Sequence, residues 1–417
     1  MRQGFLRAAL VLGLLQAIGP FAIDMYLPAL PSIGQALDAD VHEVQASLMV
    51  FFIALAVGQL LYGPISDMVG RKLPLYFGLG LFSAASVGCA LATDVQMLIA
   101  LRFVQGLGAC ACFAIPRAIV RDLHTGVDAA RLMSLLMLVF SVAPIVAPMA
   151  GSFVNDWAGW RGIFWSVAVL ALVGVGLTAT ALDETRPPHK RVDSGLRNAL
   201  AAYRMLLRDG RFLALAWIGA FGVASFHAYL AGSSFALIDH YGLSPQQYSM
   251  AFSVNAISFI GAAQLTGRLG ARYGLRAVVR FAASGYATAM TLLLVLYLLG
   301  VDRMEVLIGL LFVGYGFLGL VIPSTSVLAL DRHGANAGTA SALIGTFQFV
   351  FGAVVIALSG LFTDGTARPM VASIAACSLL AVGLAWLTLR GGHRPEGRAR
   401  MAPAGAGQGS AEPSCKG

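Results

Sequence analysis

Long apolar runs, each of about 20 residues and separated by short polar segments, dominate the hydrophobic pattern of the chain. A helix of about 20 residues is long enough to cross the hydrocarbon core of a membrane, which is about 30 Å thick. Twelve such runs begin near Leu6, Gln45, Pro74, Met97, Arg131, Arg161, Phe212, Tyr248, Ala277, Met304, Gly338 and Met370. The pattern therefore predicts an all-α membrane protein with twelve transmembrane helices, six in each half of the chain.

The second half of the sequence repeats the first about 200 residues later. Segment 98–122 returns as 307–331, Asp24–Leu27 as His227–Leu230, and Gly63–Lys72 as Gly267–Arg276. Parallel duplicated halves in a membrane protein are typical of transporters whose binding site lies between the halves. We therefore predict two pseudo-symmetric six-helix bundles. Their predicted ranges are 1–182 and 212–390, with a cytoplasmic linker at 183–211 and a disordered cytoplasmic tail at 391–417.

Composition and charge agree with a membrane location. The chain is 58% hydrophobic and only 12% charged, whereas about 25% charged residues are typical of soluble domains. Lys and Arg concentrate in alternate loops, and the loops on the other side hold only Arg161, Arg303 and Arg368. By the positive-inside rule, both termini are expected in the cytoplasm. The net charge of +8 then follows from topology, so no nucleic-acid partner is expected.

Enzyme and cofactor motifs give no support to a catalytic function. Gly314–Gly319 matches the dinucleotide fingerprint letter for letter, but that motif requires a preceding strand, and here it lies inside an apolar run. Small residues at this spacing instead allow helices to pack closely. Metalloprotease, serine-hydrolase and nucleotide-binding loop motifs are not found, and the five cysteines give no disulfide framework. No enzyme activity, cofactor or metal is therefore predicted.

Asp24 is the exception among the 20 acidic residues, because it alone lies well inside an apolar run. An ionisable group in a membrane-spanning segment is costly and usually faces a cavity or a partner. The alternative is that Asp24 only marks the end of the first helix before Pro28. Counted from Leu6 at 1.5 Å per residue, Asp24 lies roughly 27 Å along, and Arg102 lies about 8 Å below the outer end of its helix. Because both fall in the outer third of the membrane, we predict that they form a proton-coupling site.

Several polar side chains interrupt the apolar runs and are candidates for a substrate cavity. These are Tyr26, Gln105, His227, Tyr229, Asn255 and Gln348. His227 lies roughly 22 Å into its helix and so in the same layer as Asp24. A lone histidine in a helix is more often a packing residue, and that alternative stays open.

The segment Gly63–Lys72 resembles the loop signature of the major facilitator superfamily, G-x-x-x-D-x-x-G-R-K. Gly63, Asp67, Gly70, Arg71 and Lys72 all match it. Met68 stands where that family usually has Arg, and the second copy of the segment has Ala271 in place of the acid. The resemblance implies the major facilitator fold for nearly the whole chain.

Three further segments narrow the resemblance. RFVQG from Arg102 is similar to the fourth-helix signature of proton-coupled drug antiporters. Pro144, Pro148 and Gly151 resemble the fifth-helix antiporter signature, although Ala replaces two of its glycines and Ser the last. IDMYLPALP from Ile23 and GTASALIGTFQFVFGA from Gly338 resemble the bicyclomycin-resistance and chloramphenicol-efflux (Bcr/CflA) subfamily.

This resemblance implies a monomeric exporter in the lipid bilayer of the bacterial inner membrane. It would exchange amphipathic drugs, such as bicyclomycin-like or chloramphenicol-like compounds, for protons. In such transporters Asp67 is expected to meet the start of the helix near Gly338, closing the cytoplasmic face, while Arg71 pairs with Asp122. Two alternatives remain: an exporter or symporter of endogenous metabolites or amino acids with the same fold, and a membrane receptor that transports nothing.

Overall fold

The computed structural model describes residues 2–124, 126–191, 195–333 and 337–389. These residues form helices and connecting turns, with no strand among them. The predicted tail at 391–417 lies outside the described residues, so its disorder stays a prediction.

Thirteen α-helices follow one another along the described chain. In the first half they are α1 (Arg2–Asp24), α2 (Leu30–Ala36), α3 (Val41–Val69), α4 (Lys72–Ala90), α5 (Val95–Leu123) and α6 (Gly126–Ala181), with a 3-10 turn at Leu27–Ala29. The linker contains a 3-10 turn at Pro188–Lys190 and α7 (Gly195–Leu206). In the second half they are α8 (Gly210–Ser234), continued by a π-helix at Phe235–His240, then α9 (Pro245–Tyr273), α10 (Leu275–Leu298), α11 (Met304–Leu330), α12 (Ala337–Leu361) and α13 (Arg368–Thr388).

Eleven helical segments of the described chain are long and apolar enough to span a membrane, and one of them contains two crossings. In α6 the backbone turns at Gly159, where φ is +67°. Glycine populates this left-handed region at little cost because it has no Cβ. Beyond the turn, Arg161 donates a hydrogen bond to the carbonyl of Ala92, and the helix then runs back until Thr180 meets Arg7. The prediction of twelve transmembrane helices is therefore confirmed.

The sequence repeat is visible in the ends of matching helices. Asp40 begins α3 and Ser244 begins α9, and each forms a capping box with the residue three positions later. A capping box satisfies backbone N–H groups that the first helical turn leaves free. Both helices end at a glycine with positive φ, Gly70 at +101° and Gly274 at +80°. A capping box at the start and a glycine at the end thus set the boundaries of α3 in the first half and of α9 in the second.

Two helix pairs, which we call the seam, form the main contacts between the halves. One is formed by α3 with α12, and the other by the first limb of α6 with α9. We call the end of the molecule that carries residues 182–191 and α7 the linker face, and the end that carries Asp40, Asp94 and Ser244 the distal face. Helix α7, which the sequence analysis did not predict, packs at the linker face against α3 and α12.

The glycines that imitate a dinucleotide fingerprint lie at helix contacts. A Cβ on Gly319 would stand 2.1 Å from the carbonyl oxygen of Phe259 in α9, and one on Gly314 would stand 2.3 Å from Met290 in α10. The glycines therefore allow close helix packing, as the sequence analysis expected.

Candidate functional site

Asp24 lies at the end of α1, at the junction of the two halves. Its side chain is 5% exposed and forms no hydrogen bond or ion pair with any described residue. The 3-10 turn that follows it contacts both α8 and α9 of the second half. Tyr248 of α9 is near enough to interact electrostatically with the Asp24 carboxyl. The carboxyl is thus buried between the halves without a fixed partner.

The first limb of α6 closes against the backbone beside Asp24. A Cβ on Gly151 would stand 2.2 Å from the carbonyl oxygen of Met25, so only glycine permits this approach. Pro144 and Pro148 lie in the same limb, and across the seam the carbonyl of Pro148 accepts a hydrogen bond from Ser249 at 2.9 Å. The residues that resemble an antiporter signature therefore lie where α6 meets both α1 and α9.

Arg102 is fully buried in the first half and has no carboxylate partner among the described residues. Its Nη1 donates to Gln105 Oε1 at 2.6 Å and to the carbonyl of Ala22 at 3.3 Å. The guanidinium lies 4.4 Å from the ring centre of Tyr26 and 4.3 Å from that of Phe51, an arrangement that stabilises a cation. Its Nε and Nη2 have no hydrogen-bond partner in the described part of the chain. Arg102 reaches α1 at the depth of Asp24, as predicted, but it forms no ion pair with that residue.

His227 of α8 lies at the seam between aromatic rings. Its ring centre is 4.0 Å from that of Phe52 in α3 and 5.8 Å from that of Phe349 in α12. Gly352 leaves room for the imidazole, because a Cβ there would stand 1.9 Å from Nδ1. The Nδ1 atom is buried, and no described residue forms a hydrogen bond with it.

The remaining candidate cavity residues do not come together. Tyr26 shares a hydrogen bond with Ser47 at 2.7 Å, and Gln105 donates to Ser86 at 2.7 Å, both inside the first half. In the second half, Asn255 donates to the hydroxyl of Tyr229 at 3.0 Å. Gln348 of α12 is half-buried near Gly219 of α8. Most of the polar groups of these residues are satisfied within their own half, and a single cavity lined by all six stays a prediction.

A cavity of about 610 Å³ lies at the linker face between the halves. Its walls come mainly from α3, α5, α7 and α12, and the six candidate residues named above do not line it. At the distal face the halves are in contact instead: Gln45 donates to the carbonyl of Ala231 at 3.1 Å, and His42 packs against Gly360. The molecule is therefore closed at the distal face and hollow at the linker face.

The loop signature between α3 and α4 forms a charged cluster beside this cavity. Arg71 Nε donates to Asp122 Oδ2 at 2.7 Å, which is the ion pair that the resemblance implied. Arg71 also meets Asp67 at 3.0 Å, and Arg186 of the linker meets Asp67 at 3.2 Å. Gly63 lines the cavity.

The start of α12 is approached by Arg121, whose Nη1 would lie 3.3 Å from a Cβ at Gly338. No hydrogen bond joins Asp67 to the described part of α12. Asp67 and the described start of α12 line the same cavity, and the contact that the resemblance implies between them stays a prediction.

Glu184 is a member of the cluster that the sequence analysis missed. Its carboxylate accepts hydrogen bonds from the backbone N–H groups of Arg71 at 2.9 Å, Lys72 at 3.1 Å and Arg186 at 2.9 Å. Partial burial by itself would raise the pKa of Glu184, but these N–H groups outweigh it and hold the pKa below its ordinary value of 4.5. Glu184 thus caps the start of α4 and ties the linker to the charged loop.

Replacing Glu184 by Gln is expected to lower the melting temperature of the purified protein at pH 7. A carboxylate at a helix N-terminus contributes about 0.5 kcal/mol, and the amide would also turn a donor toward backbone N–H groups. Because the folded pKa is depressed, the contribution is complete above pH 4.5 and is lost as the pH falls through the lower folded value. The difference from wild type should therefore be constant between pH 7 and about pH 5 and shrink in stronger acid. Asp183→Asn, at a neighbouring exposed carboxylate, is the control. Equal melting temperatures of the two variants at every pH would contradict the role of Glu184 as a helix cap.

Comparisons with known proteins extend over most of the chain. The family model described as Major Facilitator Superfamily matches residues 12–357. The chain is 36% identical to an uncharacterized MFS-type transporter, YdgK, of Bacillus subtilis (strain 168), covering 88% of this chain and 91% of that protein. It is 30% identical to the bicyclomycin resistance protein homolog of Haemophilus influenzae, covering 89% and 94%. Among solved structures, the D-xylose-proton symporter shares the fold, with a TM-score of 0.73 at 15% identity over 91% of this chain and 97% of that one.

Proposed function

The chain belongs to the Major Facilitator Superfamily of membrane transporters, and from this premise we propose that it exports amphipathic compounds in exchange for protons. Drugs like bicyclomycin or chloramphenicol are the first candidates, because one relative is named for bicyclomycin resistance and the sequence motifs resemble the same subfamily. The protein would act as a monomer in the bacterial inner membrane.

The distribution of cations supports an orientation with the linker face in the cytoplasm. Arg71, Lys72, Arg121 and Arg186 lie at the linker face, whereas Arg161, Arg303 and Arg368 adjoin the turns of the distal face. The lysine and arginine excess on one side predicts the cytoplasmic side. In this orientation the cavity opens inward, and the closed distal seam faces outward.

The observation that carries the proposal is the unpartnered carboxyl of Asp24 between the halves. Charge on a carboxyl within a membrane-spanning segment is costly, and a buried carboxyl without hydrogen bonds is suited to bind and release a proton. Because Asp24 stands beside the seam, its charge acts on the region that rearranges when the halves rock. Protonation would thus change the relative free energies of the two conformations.

Coupling requires only that proton and substrate favour opposite conformations. A compound enters the cavity from the cytoplasm and favours opening of the distal seam. Asp24 is protonated from the outer side, which favours return to the conformation seen here. Release of that proton inward then completes the exchange.

A flux assay tests the proposal directly. Purified protein in lipid vesicles is given an imposed pH gradient, and accumulation of radiolabelled chloramphenicol or bicyclomycin is measured. We expect accumulation only when the solution on the side to which the cavity opens is the less acidic one. Adding a protonophore should abolish this accumulation. Accumulation that ignores the gradient would contradict proton exchange.

A further inference from the structure

The linker-face cavity has an excess of positive charge. Four arginines and two aspartates line it, and both aspartates are already held by Arg71 and a linker arginine, as described above. Arg117 and Arg121 have no carboxylate oxygen within 4.0 Å in the described part of the chain. Four positive charges against two negative ones leave an excess of two.

Both arginines line the same cavity as the described start of α12. They lie four residues apart on α5, so their side chains leave the same face. Arg121 reaches Gly338, the second residue of α12. The N-terminus of a helix carries a partial positive charge, and the first turn of α12 contains no acidic residue to balance it. Two guanidinium groups and a positive helix end therefore surround the same space.

Arg117 adds an unsatisfied donor within the membrane. It lies six residues before the end of α5 at Leu123, about 9 Å along the helix axis. Its Nε is buried and has no hydrogen-bond partner among the described residues, and a buried donor left without an acceptor is destabilising. Thr339 and Ser341 bring hydroxyl groups to the same cavity. Among the described residues, no carboxylate accepts a hydrogen bond from these groups.

We propose that the cavity binds an anionic group, a carboxylate or phosphate, between Arg117, Arg121 and the first turn of α12. The planar guanidinium matches both oxyanions with paired hydrogen bonds. The volume of about 610 Å³ also accommodates an apolar body, for which Phe113 and Tyr203 provide aromatic walls. The inference rests on the proposed function and extends it, since it adds organic anions and zwitterions to the uncharged drugs as transported compounds. An anionic lipid headgroup presents the same chemistry.

Equilibrium binding to the purified full-length protein tests the site, with 2-naphthoate and its uncharged analogue 2-naphthamide as probes in a neutral detergent. We expect naphthoate to bind more tightly than naphthamide. Arg117→Gln and Arg121→Gln should each raise the Kd for naphthoate about tenfold, the effect of one charge-assisted hydrogen bond, and leave naphthamide binding unchanged. Unchanged naphthamide binding also shows that the variants are folded. Arg268→Gln removes an exposed charge on α9 outside the cavity and should bind as wild type.

Equal affinity for the two probes, or naphthoate binding that survives both glutamine variants, would overturn the anion site. A second arm identifies the source of the anion by repeating the titration in nanodiscs of phosphatidylcholine with and without phosphatidylglycerol. Loss of naphthoate binding only with phosphatidylglycerol supports the site and assigns it to a lipid headgroup, and retained binding assigns it to a transported compound. No gradient is used, so failure of proton exchange in vesicles and failure of anion binding are separate results.

Discussion

Vesicles containing Asp24→Asn are expected to accumulate no drug when a pH gradient is imposed. Asparagine keeps the shape of the side chain but cannot exchange a proton, so the variant resembles the protonated state permanently. Because Asp24 is buried beside the seam and has no partner in the described chain, the substitution breaks no hydrogen bond. We therefore expect downhill drug exchange between the two sides to persist while gradient-driven accumulation falls to the level of protein-free vesicles.

The control for this experiment is Glu305→Gln, which removes an exposed carboxylate in the first turn of α11. It should accumulate drug as wild type does. If Asp24→Asn still concentrated the drug under the gradient, proton exchange would have to involve another group. If the variant lost downhill exchange as well, Asp24 would be needed for movement of the halves rather than for coupling.

Gly151→Ala should have the largest effect on the folded structure. The added Cβ would stand 2.2 Å from the carbonyl oxygen and 2.6 Å from the Cα of Met25, both backbone atoms that cannot rotate away. The first limb of α6 must then move away from α1 beside Asp24. Overpacking of this kind costs about 1–3 kcal/mol, and we expect a lower melting temperature together with a severe loss of transport.

Gly176→Ala is the matched control, because it lies in the same helix with open space where its Cβ would be. Alanine is favoured over glycine in a helix by about 1 kcal/mol, so this variant should be unchanged or slightly more stable. Similar melting temperatures for the two variants would show that the close approach of Met25 does not constrain the protein.

The transmembrane helices were predictable because membrane thickness imposes their length. The run expected from Gly338 begins at Ala337, and the run expected from Met304 begins at that residue. Helix α7 was missed because its segment is cationic and lacks a long apolar run; the helix packs against α3 and α12, a tertiary contact that no local pattern reveals. Glu184 was missed for a similar reason, since it lies 113 residues from Arg71, whose N–H it binds.

The depth of the candidate site residues along their helices was predictable, but the direction in which each side chain points was not. Counting residues along a helix gives the height of a side chain, and Arg102 does reach α1 two residues from Asp24, at Ala22. The rotation of each helix about its axis depends on packing with its neighbours, which the count does not include. Arg102 therefore turns toward Gln105 and the ring of Phe51 instead of Asp24. For the same reason, the sequence did not predict that the hydroxyl of Tyr229 accepts a hydrogen bond from Asn255.

Proton release on drug binding tests the role of Asp24 most directly. The purified protein is placed in weakly buffered solution with a pH indicator, and chloramphenicol is added. If drug and proton compete through Asp24, wild-type protein and Glu305→Gln should release protons into the solution, and Asp24→Asn should bind the drug without any release. Equal proton release from Asp24→Asn and wild type would contradict the account, because the exchanged proton would then come from a different group.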